Sequence, residues 1–303
     1  MASSTHPLWS ADDMESLAAP MAPYSNTPLK RGIQSHAHQP LVTDIHAFHA
    51  QLTFVIASFS DDDGYPWVSC LAGTQGFVQQ PDLSQIEIRT YPMRADPLLQ
   101  LDRKRDATIL CIGQHTCWFN SLEGHLSTMQ HGGFRLEVAR RTSAFMPALV
   151  SPFPFFAEEA HPWDAHYQYD YLDEAMIDLL RSASMLYIAL ASHPGSDAAE
   201  GCISIDLSMC VEKQVIFDVE DARTLVMQGK AAPASSMVSS HAGGRYKLGL
   251  LVMNFQSHER LHVVADAEPT GAGQHDARSA PSRIKLHVKL ARRVMNALPL
   301  RAK

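Results

Sequence analysis

The sequence predicts a mainly β chain with short helices, in which one small antiparallel β domain occurs twice. Three observations carry this. Gln51 to Ser58, the acidic turn Asp61-Asp62-Asp63-Gly64 and Trp67 to Leu71 are echoed about 135 residues later by Met185 to Ser192, His193 to Asp197 and Cys202 to Asp206. Each copy continues to a short apolar segment, Ile86 to Arg89 or Val215 to Asp218. Each then reaches a pair of strand-like runs, Ala107 to Ile112 with Trp118 to Ser127, or Leu248 to Met253 with Arg260 to Ala265.

Size and composition agree with two cores. A chain of 303 residues with 46% hydrophobic and 19% charged residues is globular and long enough for two domains. The formal charge of −7 disfavours a nucleic-acid partner, because phosphate surfaces are bound by concentrated Lys and Arg. No run approaches the ~18 apolar residues of a membrane span, and residues 1 to 31 lack a basic start followed by an apolar stretch. A soluble, cytoplasmic protein without a membrane partner is expected. The five cysteines, Cys70, Cys111, Cys117, Cys202 and Cys210, form no Cys-x-x-Cys pair and read as buried thiols. Sixteen histidines, densest at His36, His38, His46 and His49, include no His-Glu-x-x-His pattern, so no metal centre is predicted.

In chain order, residues 1–43 carry Pro7, Pro20, Pro23, Pro28 and Pro40 and predict a partly ordered arm. The first domain, 44–142, opens on a helix over Asp44 to Gln51 with Thr43 or Asp44 as its cap. Strands over Leu52 to Phe59 and Trp67 to Leu71 follow, joined through the turn chemistry of Asp62-Asp63-Gly64. Leu98, Leu99 and Leu101 suggest a short helix between Arg94 and Arg105. Residues 143–172 hold Phe145, Phe153, Phe155, Phe156, Trp163, Tyr167, Tyr169 and Tyr171. Rings at that density need burial, either as a belt across both domains or as the wall of a ligand pocket. His161, Asp164 and His166 lie among them and are the candidates for acid–base catalysis, with an ordinary surface loop as the competing reading. The second domain, 173–270, opens on an amphipathic helix over Asp173 to Ala183. Residues 271–303 read as a polar connector and a basic C-terminal helix over Arg283 to Arg293.

The stretch from Asp63 through Trp67, Gly73, Gly76 and Phe77 to Val78, followed by Ile86-Glu87-Ile88 and Asp96-Pro97-Leu98, resembles the pyridoxamine 5'-phosphate oxidase-like, FMN-binding split-barrel family. It is most similar to the subgroup that carries two such barrels in tandem. The likeness spans roughly residues 44 to 270, and Ile203 to Val211 lacks the arginine and glycines of the subgroup's second copy, which is therefore degenerate here. The resemblance implies two tandem antiparallel split β-barrels packed as a pseudo-dimer, as a monomer or a homodimer, with FMN between the barrels. A dianionic phosphate needs Arg or backbone N–H donors, and a flat ring needs an apolar slot. By that likeness Arg94 and Arg89 are the phosphate candidates, against the alternative of surface arginines. Gly73 and Gly76 would allow close backbone approach, and Trp67, Phe77 and Tyr91 would wall the ring. The expected function is an FMN-dependent oxidoreductase acting on a small organic substrate. Two alternatives stand beside it: a flavin-free cyclase, isomerase or dehydratase of an apolar metabolite, and a non-catalytic binding protein.

Overall fold

The computed structural model describes residues 42–93, 95–113, 118–145, 155–156, 165–183, 185–192, 204–211, 215–229, 246–270, 282–295 and 300–301. The first part comprises helix α1 (Val42–Ala50) and strands β1 (Phe54–Ser60), β2 (Pro66–Ala72), β3 (Val78–Asp82) and β4 (Gln85–Ile88). A 3-10 turn (Pro97–Gln100) then leads to β5 (Arg105–Ile112), β6 (Trp118–Thr128) and β7 (Phe134–Phe145). Next come β8 (Phe155–Phe156), β9 (His166–Tyr169) and α2 (Glu174–Arg181). The remaining strands are β10 (Met185–Ser192), β11 (Ser204–Val211), β12 (Val215–Asp221), β13 (Thr224–Gly229), β14 (Tyr246–Asn254), β15 (Glu259–Pro269), β16 (Ser282–Val294) and β17 (Leu300–Arg301).

The mainly β expectation holds, as two antiparallel sheets with one strand order. The first runs β2-β1-β5-β6-β7-β4-β3, and the second runs β11-β10-β14-β15-β16-β13-β12, with β9 added against β16. Each has a bulge at the same place, opposite Glu123/Gly124 in the first and Val264/Ala265 in the second. Counting pairs from these bulges makes Ile56 the counterpart of Tyr187, so Phe54, not Gln51, stands where Met185 stands. The echo read from sequence was three residues out of step. Likewise Ile86-Glu87-Ile88 of β4 corresponds to Leu225-Val226-Met227 of β13, whereas Val215 to Asp218 belongs to β12, the counterpart of β3.

Continuous apolar runs in the inner strands arise because both faces are buried. In β1, Val55, Ala57 and Phe59 enter the first core, while Phe54 and Ile56 join Met185, Tyr187 and Ala189 of β10 and Leu251 and Met253 of β14 in a cluster between the sheets. The alternate residues Leu186, Ile188 and Leu190 enter the second core. Thus one face of each inner strand makes a core and the other joins the halves.

Three sequence expectations need correction. The basic segment Arg283 to Arg293 is not a helix but most of β16, with Ile284, Leu286 and Val288 inward and Arg283 exposed. The second sheet therefore extends past residue 270 to Val294. Helix α1 begins at Val42, so Thr43 and Asp44 lie inside it and do not cap it. The helix at Leu98 is a 3-10 turn, capped by Asp96, whose carboxylate accepts from the Leu98 N–H at 2.9 Å. The amphipathic helix expected over Asp173 to Ala183 forms as Glu174–Arg181, with Asp173 as its cap and not its first residue, and Met176, Leu179 and Leu180 are buried. No helix among the described residues is long and apolar enough to cross a membrane.

A buried histidine makes this fold acid-sensitive. His49 of α1 is fully buried with Nδ1 2.9 Å from the Gln80 amide oxygen, and burial pulls its pKa down to about 4. The unfolded chain, titrating near 6.5, takes up a proton before the native state does. The stability is therefore complete above pH ~6.5 and lost as pH falls toward 4, by about 3 kcal/mol for this residue. Urea unfolding at pH 7 and 4.5 should show a smaller pH dependence in His49→Gln than in the wild type, and equal dependences would contradict the assignment.

Candidate functional site

The two sheets meet across a buried polar network, and strand periodicity explains which residues enter it. Along β15, Leu261, Val263 and Ala265 fill the second core, so Arg260, His262 and Val264 face the first sheet. Arg260 and Asp96 are both fully buried and lie 3.0 Å apart, Nη1 to Oδ2. The other Asp96 oxygen accepts from Ser69 Oγ at 2.6 Å and from the Leu98 N–H. Burial pushes the Asp96 carboxyl up, and Arg260, Ser69 and the Leu98 amide oppose it. A carboxylate with one guanidinium and two further donors is a satisfied buried anion.

His262 lies beside this pair. Its Nδ1 is 2.8 Å from the Val68 carbonyl, which makes Nδ1 the protonated nitrogen and leaves the lone pair on Nε2. Burial first, and Arg260 second, hold its pKa well below the usual histidine value, so it is neutral. Nε2 is buried and has no hydrogen-bond partner among the described residues. The Trp67 ring lies 6.5 Å from the His262 ring, and the Arg292 guanidinium stacks on Trp67 at 5.3 Å. Arg292 donates to neutral oxygens, the Gln168 amide at 2.8 Å and the Ala95 carbonyl at 3.0 Å. Ala95 holds a positive φ of 61°, a conformation uncommon outside glycine.

The acidic turn that reads as a hairpin signal also locks the sheets together. Asp61 accepts from the Tyr65 N–H at 2.8 Å and from Trp67 Nε1 at 2.9 Å. Tyr65 donates its hydroxyl to Asp266 at 3.0 Å, and burial with that carboxylate pushes its pKa up to about 12. Lys247 lies 4.6 Å over the Tyr65 ring and donates to the Asp63 carbonyl, while Lys289 pairs with Asp266 at 2.9 Å. The Asp63 to Trp67 motif thus contacts the second sheet throughout.

The residues expected to hold a cofactor do not converge. Trp67 and Phe77 are packed in the first core, each 5% exposed. Gly73 makes room for Phe77, since a Cβ there would fall 2.7 Å from the Phe77 ring. Gly76 has φ +89° with open space where a Cβ would point, so its backbone conformation is what requires glycine. Arg89 is exposed and paired with Glu87 at 2.9 Å, which also binds Arg135. Tyr91 is 73% exposed and rests on Gly132. Arg94 lies outside the described residues, as do His161 and Asp164. His166 is exposed on β9, opposite Val294 of β16, and the belt residues Tyr167 and Tyr171 are exposed too. Most of the aromatic segment is outside the described residues. Cys70 and Cys111 are free buried thiols, and no group of metal-ligating side chains occurs among the described residues.

For FMN, the described residues supply part of the fit. Cationic groups and an aromatic wall meet at Trp67, Arg260 and Arg292, but Trp67 is covered by Arg292 and the core, and no open ring slot is formed there. Sequence reasoning named Asp96 only as part of the family-like motif and did not place Arg260, His262 or Arg292 in a site. For Arg260 and His262 the signal was polar side chains at alternate positions of an otherwise apolar strand, which marks a buried polar face when both neighbours of the strand are also strands.

No family model matches the chain, and no curated protein matches it. Among solved structures, one described as "Putative pyridoxamine 5'-phosphate oxidase" from Corynebacterium glutamicum is similar to it. The two are 13% identical with a TM-score of 0.27, over 42% of this chain and 92% of that one. Similarity at that level lends no weight to an assignment.

Proposed function

We propose that this chain binds a small anionic, ring-bearing molecule where the two sheets meet, on a scaffold of the flavin-type split-barrel kind. The observation that carries this reading is Arg292: a buried guanidinium stacked on Trp67 whose hydrogen bonds, among the described residues, go to uncharged oxygens, with the Asp96 carboxylate acting on it without a hydrogen bond between them. Such a cation gains most when an anion reaches it, because charge-assisted pairs are the strong ones. FMN is the first ligand to test, and oxidoreductase chemistry on a small organic substrate is the activity that FMN would bring. In that case Arg292, with Arg94 one position before its Ala95 partner, would supply charge to the phosphate, and Trp67 would supply the aromatic contact. A monomer holding both sheets, or a homodimer of it, and a cytoplasmic setting complete this reading.

A second reading is favoured by the packing of Trp67 and Phe77 into the core and by the pairing of Arg89 with Glu87. A protein so arranged binds its ligand without flavin, either as an enzyme using histidine and carboxylate groups or as a non-catalytic binding protein. The visible spectrum separates the two. A yellow protein, or one that takes up added FMN and loses at least tenfold in affinity (about 1.4 kcal/mol) in Arg94→Ala, supports the first. A colourless protein with no FMN uptake leaves only the second.

A further inference from the structure

Away from the junction, a cleft of about 470 Å³ opens where β1 ends and β5 begins, bounded by Ser60 and Asp61, the basic run Arg103 to Arg105, and the pair Asp106 and His125. Strand register builds that pair: Asp106 of β5 lies directly opposite His125 of β6. His125 Nδ1 is 2.7 Å from Asp106 Oδ1, which orients the ring and leaves Nε2 for a ligand. Ser60 is 5% exposed, and its hydroxyl is buried without a hydrogen-bond partner among the described residues. Buried hydroxyls are normally satisfied, so this one is a donor awaiting an acceptor.

The basic run is held by weak pairs. Arg103 and Arg105 both meet Asp62, with Arg105 at 2.6 Å, and Lys104 meets Glu137 at 2.6 Å. Arg103 and Asp62 are 62% and 67% exposed and Lys104 and Glu137 48% and 51%, and pairs so exposed contribute on the order of 0 to 1 kcal/mol, so exchanging these carboxylates for an incoming dianion costs little. Arg105, 16% exposed and also 3.4 Å from Asp102, is the most firmly held of the three cations. Two guanidinium forks and an ammonium at one rim match the geometry of a phosphoryl group.

We propose that this cleft is a binding site for a small phosphorylated metabolite. Arg103 and Arg105 grip the phosphoryl oxygens, and His125, oriented by Asp106, hydrogen-bonds to the ligand through Nε2. The site is separate from the junction, and Asp61, which also holds Trp67 Nε1, and Ser60, paired with Pro66, link the two.

Inorganic phosphate is the probe, followed by NMR of the histidine ring resonances at constant ionic strength, with His125 assigned from the spectrum of His125→Gln. The expected result is a saturable shift of the His125 signals, weakened at least tenfold in the Arg103→Gln/Arg105→Gln double variant. Arg103 is 62% exposed, so Arg103→Gln alone keeps the test available if the double variant does not fold. A shift that does not saturate, or one of equal affinity in wild type and the arginine variants, overturns the proposal. FMN uptake is measured separately, so the outcome here does not depend on the junction reading.

Discussion

Arg260→Leu is expected to destabilise the protein by about 3 to 5 kcal/mol, the usual loss when one member of a buried ion pair is removed. Asp96 would remain at 1% exposure with, among the described residues, Ser69 and the Leu98 amide as its hydrogen-bond donors and Arg292 as its remaining cation. Removing both charges should cost far less than that loss, because the desolvation penalty of the stranded carboxylate disappears with it. Urea unfolding of Arg260→Leu, Asp96→Asn and the double variant forms the cycle that measures this coupling. A double variant as unstable as the sum of the singles would show that the two side chains do not act as a pair. The pair also joins parts of the chain 164 residues apart, so its loss should loosen the contact between the sheets before either core melts.

Sequence alone reveals the strands whose neighbours are local and misses features created by distant ones. The runs over β1, β10 and β14 are apolar on both faces, and the Asp61 to Gly64 turn has hairpin chemistry, so these are visible without a structure. β16 is not, although Ile284, Leu286 and Val288 alternate with polar residues as a strand requires. The bulge opposite Val264/Ala265 shifts the alternation after Val288, bringing Ala291 inward and blurring the period of two. The network of Asp96, Arg260, His262 and Arg292 was hidden for a different reason. The sequence shows polar residues within these segments but not what they meet, and only the packing of β15 and β16 against β2 and the turn at Ala95 and Asp96 gives them their partners. The same packing explains why Trp67 and Phe77, chosen as walls of a slot, are core residues: an aromatic side chain in an apolar strand reads alike in either role.

Gly249→Val should disrupt the meeting of the two sheets, for a reason that lies in the backbone. A Cβ at Gly249 would stand 2.9 Å from the Pro66 carbonyl carbon and closer still to its oxygen, so β14 and β2 touch main chain to main chain there. Its counterpart in the first sheet is Thr108, which shows that the strand order itself does not require glycine at this place. Neither backbone can give way, because Gly249 is paired on one side with Ala189 and on the other with Val264, and Pro66 is paired with Ser60. The sheets must therefore separate, taking with them the Tyr65 bond to Asp266 and the Lys247 contact with the acidic turn. The expected loss is about 3 kcal/mol or more, at the upper end of overpacking costs. Gly249→Ala is the sharper control, since a methyl group meets the same carbonyl while the alanine restricts the unfolded chain and favours folding by roughly 0.4 to 1 kcal/mol. Thermal unfolding should rank wild type above Gly249→Ala and that above Gly249→Val. An alanine variant as stable as the wild type would mean that the two strands do not approach this closely.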